Sequence, residues 1–368
     1  MREGLGALVA AMRLEFEQLN RSRVLVALVV LEAITFLVLV SLFGLTGSRA
    51  PTALVDRDGG TLAKSFISNL EGAHHSFALR PMSMERARDK LSRGELVAII
   101  EIPPGFSQTI AGGRTALLPI TVDNVDKDLT TDIREAIPSA VTAFGKKHKF
   151  PGVRLAVDEH DLIDHETGYV PYLVVSALVL AAFVVAGIFG AVAITREFEG
   201  RTITQWRLAS VKPGYLLTGK LLASTCVSAV AVAAAALVVV VGYGVSPVNP
   251  AGAIGALAIC VVIFTSLGAC VGALFRRTLP VAALFFGLAL PFYVDSGALE
   301  PLRFDGPKLW TAGHVSPVYS AIALLQWGFH DLHVTPESIP QNLLVLSLWA
   351  IVALIVAAAV LSRRTVAR

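Results

Sequence analysis

The sequence predicts an α-helical polytopic membrane protein: six transmembrane helices, both termini cytoplasmic, and an extracytoplasmic α/β domain inserted between the first two helices. Three observations carry this. The chain of 368 residues is 54% hydrophobic and only 16% charged, with a mean hydropathy of +0.67, whereas soluble domains carry about 25% charged residues. Apolar runs long enough to cross a bilayer, roughly 20 residues each, recur along the chain, and one long interval between them has the composition of a soluble domain. Outside the long interval 46–169, whose charges scarcely count because long loops translocate regardless, basic residues gather mainly in 1–23, 195–220, 276–277 and 362–368, so the positive-inside rule places all four on the cytoplasmic side. The formal charge of +3 matters less than this distribution.

Residues 1–23 put Leu5, Leu8, Val9, Met12, Phe16 and Leu19 on one helical face, with Arg2, Arg13, Glu15 and Glu17 largely off it. This is the pattern of an amphipathic helix lying on the cytoplasmic membrane surface. Residues 24–45 supply the first span; the run exceeds a signal-peptide core and lacks a cleavage site, which predicts a retained anchor. Inside it Glu32 would cost about 3 kcal/mol if ionised and unpaired. It marks either a substrate or proton pathway or a hydrogen-bonded neutral acid at a helix contact.

Residues 46–169 form the inserted domain. Apolar β-rich runs at 53–55, 96–102 and 117–122 alternate with helical patterns at 61–70 and 84–91, which predicts an α/β fold. The turn-forming residues of Val55-Asp56-Arg57-Asp58, Ile102-Pro103-Pro104-Gly105-Phe106-Ser107 and Val122-Asp123-Asn124 are explained by ordinary turn and cap chemistry. Asp158 to Asp161 and Asp164 to Glu166 concentrate acids and two histidines. No ligand geometry is fixed there or at His74-His75, so the segment reads as a solvated acidic collar and no metal site is assigned.

The remaining spans fall at 170–194, 216–241, 251–275, 279–293 and 343–361, with a cytoplasmic tail at 362–368. The fifth is short, with Pro280 near its start and Pro291 interrupting it. Residues 294–340 read as external helices that dip partly into the membrane, because a full crossing at 309–329 would carry the terminal arginines outside, against the positive-inside rule. Spans three and four are dense in small residues and suited to close packing. Cys226, Cys260 and Cys270 all lie in apolar runs, so no disulfide or zinc site is expected.

Function concentrates in the charged segment between the second and third spans, Thr195 to Lys220. Residues 195–215 emerge as a compact loop in which Ile203, Trp206 and Leu208 alternate with Arg201, Gln205 and Arg207, a short amphipathic helix stopped by Lys212-Pro213-Gly214. Gly214 to Lys220 imitates a phosphate loop, but Leu221 stands where a metal-binding Ser or Thr is needed and no strand precedes it. No catalytic motif remains, so the chain is not expected to be an enzyme.

The order Glu197, Glu199, Gly200, Thr202, Gln205, Leu208, Lys212-Pro213 and Gly219-Lys220 resembles the first cytoplasmic loop of ABC-2 type exporter permeases. It departs from them in Arg201, which separates the usual glycine and threonine, and in Ser210 where proline is common. The inserted domain is also similar to that of a subset of these permeases. The resemblance implies the membrane-spanning subunit of an ATP-driven exporter in a bacterial cytoplasmic membrane, paired with an identical or homologous permease and driven by two ATPase subunits. It also implies an apolar or amphipathic substrate, and ATP and Mg bound by the partner, with no cofactor on this chain. Glu197, Glu199, Gly200, Thr202, Gln205 and Leu208 would couple to the ATPase. Two other classes remain open: a receptor or scaffold acting through the inserted domain, and a proton-coupled carrier centred on Glu32.

Overall fold

A computed structural model describes residues 2–21, 27, 29, 31–32, 34–35, 37–38, 50–72, 77–93, 95–123, 127–148, 155–161, 167–203, 213–294, 296–298 and 316–366. The chain divides into two compact units. The larger one holds helix α1 (Arg2–Arg21) and the helices that follow residue 168; the smaller holds the strands.

Among the described residues the smaller unit holds a five-stranded mixed sheet in the order β2-β1-β3-β4-β5. Its strands are β1 (Ala50–Asp56), β2 (Phe77–Pro81), β3 (Ala98–Ile102), β4 (Ala116–Val122) and β5 (Leu155–Asp161). All neighbouring pairs are parallel except β3 with β4. Alternation along β4 buries Ala116, Leu118, Ile120 and Val122 and leaves Leu117 half exposed, the period-two signature of a strand covered on one face. On one face α2 (Thr61–Gly72), α4 (Phe106–Ala111) and α5 (Lys127–His148) close a core around Phe66, Phe106 and Phe144. On the other, α3 (Met84–Ser92) packs Ala87 and Leu91 against Ala53, Val55 and Ile99.

The turn motifs act as turns. Asp56 Oδ1 accepts the amides of Asp58 and Gly59. The Asp58 carboxylate takes the Ser107 hydroxyl and the amides of Gly60 and Ser107, while the Ser107 oxygen accepts the Ala63 amide. The starts of α2 and α4 are thereby tied together. The Ser107 hydroxyl holds the Asp58 carboxyl below its usual value of 3.8. Asp158 to Asp161, expected as a solvated collar, instead lie in strand β5, where Glu159 pairs with Arg134 at 2.7 Å. His74, His75, Asn124, Asp164, His165 and Glu166 lie outside the described residues.

The larger unit is helical. Among the described residues four helices are long and apolar enough to cross a membrane: Tyr169–Glu199, Gly214–Gly242, Pro250–Phe275 and Ile339–Arg363. They belong to α6 (Tyr169–Glu199), α7 (Pro213–Gly242), α8 (Pro250–Phe275) and α11 (Ile339–Val366). Helix α9 (Thr278–Val294) is apolar but shorter, and α10 (Pro317–His330) precedes α11. The segment read as the first span, 24–45, lies mostly outside the described residues; Glu32 within it is helical and partly buried. Pro291, expected to interrupt the fifth span, sits in the last turn of α9, and the helix continues past it.

Helix α6 is apolar all round and buried from Tyr172 to Thr195, the mark of a helix at the centre of a bundle. Small residues bring α8 against it. A Cβ on Gly268 would stand 2.0 Å from the Gly187 carbonyl oxygen, and one on Gly190 2.1 Å from that of Thr265. Glycine is therefore required at both positions, and the two backbones meet as in small-residue membrane contacts. Helix α10 is also buried along most of its length. Its Gln326 Nε2 donates to the Tyr172 carbonyl and to Ser176 Oγ, both at 2.9 Å, satisfying a buried amide that would otherwise be costly.

Candidate functional site

The site forms where α6 leaves its apolar surroundings. Its last turn carries Arg196, Glu197, Phe198 and Glu199, two carboxylates at the negative end of a helix dipole, where charge of that sign is unfavourable. Each carboxylate has an answering group on another helix. Glu199 Oε1 accepts the Thr278 amide at 2.8 Å and Oε2 its hydroxyl at 3.1 Å, so it caps the N-terminus of α9, where a negative charge is favourable. Thr195 Oγ1 meets the same Thr278 hydroxyl at 2.7 Å.

Glu197 turns inward and is 4% exposed. Its Oε1 lies 2.7 Å from Lys220 Nζ, its Oε2 takes the Thr202 hydroxyl, and its carbonyl accepts the Thr202 amide at 3.1 Å. Lys220 stands two turns into α7 and also pairs with Glu15 of α1. Two acids and one base thus meet in a pocket where all three side chains are almost wholly buried. Among the described residues Glu15 Oε1 has no hydrogen-bond partner.

Local packing explains the convergence. Gly4 of α1 fits under the Tyr215 ring, and a Cβ on Gly219 would stand 2.4 Å from the Leu8 carbonyl. Helices α1 and α7 therefore run in close contact, which brings Glu15 to Lys220. Leu8, Ala11, Glu15 and Leu19 recur at helical spacing, and of these Ala11, Glu15 and Leu19 are buried. Leu5, Val9 and Phe16 are exposed, so the single apolar face expected of α1 is divided in two. Beneath the charges lies an apolar floor of Ile194, Leu217, Ala269, Cys270, Ala273, Ala357 and Leu361, drawn from α6, α7, α8 and α11.

Beyond Glu199 the chain reverses through Gly200, Arg201 and Thr202. Gly200 donates to the Arg196 carbonyl at 2.8 Å and Arg201 to that of Phe198 at 3.2 Å. Arg201 takes a left-handed conformation with φ 55°, a strained position for a side chain with a Cβ. The Arg276 guanidinium lies 5.2 Å from the centre of the Phe198 ring, an attractive cation–π geometry. Glu199, Gly200, Arg201, Arg276 and Arg277 are exposed, and Ile203 is buried.

Of the six residues expected to couple to an ATPase, the structure gathers Glu197, Glu199, Gly200 and Thr202; Gln205 and Leu208 lie outside the described residues, as does Trp206. Sequence reasoning named Lys220 only within the Gly219-Lys220 motif and Glu15 only as a residue off the apolar face of α1, without pairing them, and it did not single out Thr278 or the Phe198–Arg276 pair. A lysine inside an otherwise apolar helix was the available signal, because such a charge needs a partner. Gly214 to Lys220 is helical throughout, so the imitation phosphate loop forms no phosphate cradle. No group of metal-ligating side chains occurs among the described residues.

The sequence model of the family described as "ABC-2 family transporter protein" matches residues 23–359. No curated protein matches the chain.

Proposed function

The chain belongs to the ABC-2 transporter family, and on that premise we propose that it is the permease of an ATP-driven exporter whose 195–215 loop receives the motion of separate ATPase subunits. The family and the apolar helices make it a multi-pass membrane protein and a permease subunit of an ABC transporter, a class that associates with an ABC ATPase. In the proposed assembly two permeases, identical or homologous, line the pathway in a bacterial cytoplasmic membrane. The segment 24–45 and the shorter helix α9 complete six spans with the four long apolar helices, and the α/β unit lies outside the cytoplasm. ATP and Mg are held by the two partner ATPases. The substrate class is apolar or amphipathic: a lipid, a drug or a peptide-like molecule.

The observation that supports this reading best is the end of α6. A helix buried along its apolar length ends in a turn bonded to α7 and α9, with Glu199, Gly200 and Arg201 facing outward. A push on that turn is delivered to packed helices rather than absorbed by a slack loop. Coupling of this kind requires contacts that differ between two states. In this reading Glu197 and Thr202 shape the turn from inside, Glu199 links it to α9, and Gly200, Gln205 and Leu208 belong to the docking surface.

The test is co-purification from native membranes under mild crosslinking, comparing wild type with Gln205→Ala/Leu208→Ala at matched folding. An ATPase that accompanies the wild type and is depleted in the variant supports the proposal. Its absence from the wild type overturns the exporter reading in favour of a receptor acting through the α/β unit.

A further inference from the structure

We propose that Lys220 is a positioning residue that closes the base of the coupling loop and carries the loop's displacement into α1. The inference rests on the coupling reading above. The loop leaves α6 after Glu199 and enters α7 at Pro213, so its two feet stand on different helices. Glu197 lies within the turn that forms the first foot, and Lys220 stands two turns from the second. Their side chains bond directly at 2.7 Å, and Thr202 is drawn onto the same Glu197 carboxylate. The distance between the feet is thereby fixed by one buried ion pair. The second carboxylate on Lys220 comes from Glu15, on a helix that is remote in sequence and contributes nothing to the loop itself.

Burial makes this clamp selective. An ion pair in contact with water exchanges partners readily and contributes little. With side chains only 2%, 1% and 6% exposed for Lys220, Glu15 and Glu197, separation would leave charges in an apolar enclosure, which is strongly unfavourable. The three helices therefore move together or not at all. An ATPase that displaces the loop would also shift α1, which gives a helix outside the loop a part in transport.

The discriminating variant is Glu15→Leu, because it removes the ionic link to α1 while leaving Lys220 and Glu197 as a balanced pair and the loop unaltered. The ATPase recovered with the wild-type permease is reconstituted with each variant in nanodiscs, and its ATP turnover is compared with that of the ATPase alone. The wild-type permease is expected to change that turnover. Glu15→Leu is expected to reduce the change at least about fivefold, the lower range of measured site-to-site coupling, with the KM for ATP and the permease melting midpoint unchanged; Glu15→Asp restores it. A purely structural role would lower the midpoint and leave the change in turnover per folded permease intact, and that result overturns the proposal.

If no ATPase is recovered, the coupling reading falls, and the clamp is judged on the permease alone by hydrogen exchange. Glu15→Gln/Glu197→Gln/Lys220→Met removes the charges without stranding any of them. It must raise exchange of the 195–203 amides at least about fivefold relative to Lys220→Arg, with 250–275 unchanged. Equal protection in the two variants refutes the clamp.

Discussion

Replacing Lys220 with methionine keeps the length of the side chain and deletes its charge. At the 2.7 Å separation from Glu197, an effective dielectric near 20 gives a gross attraction of about 6 kcal/mol. Much of that offsets the desolvation of the ions, so the pair adds little beyond what an apolar replacement would give. The single substitution is different, because it strands the carboxylates of Glu15 and Glu197, both buried. Breaking a buried pair from one side costs about 3–5 kcal/mol. Reversible unfolding in mixed detergent micelles, followed by tryptophan fluorescence, measures the loss. Neutralising all three groups together, as Glu15→Gln/Glu197→Gln/Lys220→Met, should recover all but about 1 kcal/mol, since apolar replacement of a whole buried charge cluster is often neutral. A Lys220→Met permease as stable as wild type, or a triple variant no better than the single one, refutes the reasoning.

Three further outcomes follow from other parts of the structure. Gly268→Ala places a Cβ 2.0 Å from the Gly187 carbonyl, so α6 and α8 must separate at a cost of about 1–3 kcal/mol; an unchanged unfolding midpoint would show that their contact is looser than described. Arg201→Gly relieves a left-handed backbone at φ 55° and should stabilise the turn by about 0.5–1 kcal/mol, the relief of strain less the added freedom of the unfolded chain; slower amide exchange at 197–203 is the readout. Asp58→Ala removes three hydrogen bonds at the starts of α2 and α4 and should raise exchange in both helices by about 1–2 kcal/mol of local stability. Because the Asp58 carboxyl is held below 3.8, that difference is fully present above pH 3.8 and disappears as pH falls through the lower folded value. A difference that grew on acidification would contradict the assignment.

Long apolar helices are legible in the sequence because their signal is local: length and apolarity. The expected spans at 170–194, 216–241 and 251–275 correspond to α6, α7 and α8 within a few residues. In the α/β unit, β1, β3 and β4 announce themselves through apolar runs. Strand β2 (Phe77–Pro81) ends in Arg80 and Pro81, and β5 (Leu155–Asp161) is dominated by acids. Both are edge strands, where charge and proline are tolerated because one side lacks a partner, and the same tolerance hides them from an apolar pattern. Residues 127–148 form a helix through Pro138, which a breaker-based reading passes over.

The site was half visible. Glu197, Glu199 and Thr202 stand out as polar residues at the end of an apolar run. What Glu197 does was not visible, because its partners lie 23 residues away on α7 and, through Lys220, on α1 at Glu15. Helical periodicity placed Glu15 off the apolar face with Glu17. The structure buries Glu15 on the face that meets α7 and leaves Glu17 exposed. Only the close α1–α7 packing at Gly4 and Gly219 makes that burial possible, and no pattern within either helix reports the contact between them.

The central claim, that the turn after α6 receives an ATPase, is tested most directly by site-specific photo-crosslinking in native membranes. The probe goes at Arg201 in one variant and at Ser246 in another, both exposed and the latter in the connection between α7 and α8 at the opposite helix ends. The account predicts a crosslink from position 201 to an ATP-binding subunit and none from position 246. Capture of that subunit from 246, or its absence at 201 in a folded permease, would contradict it.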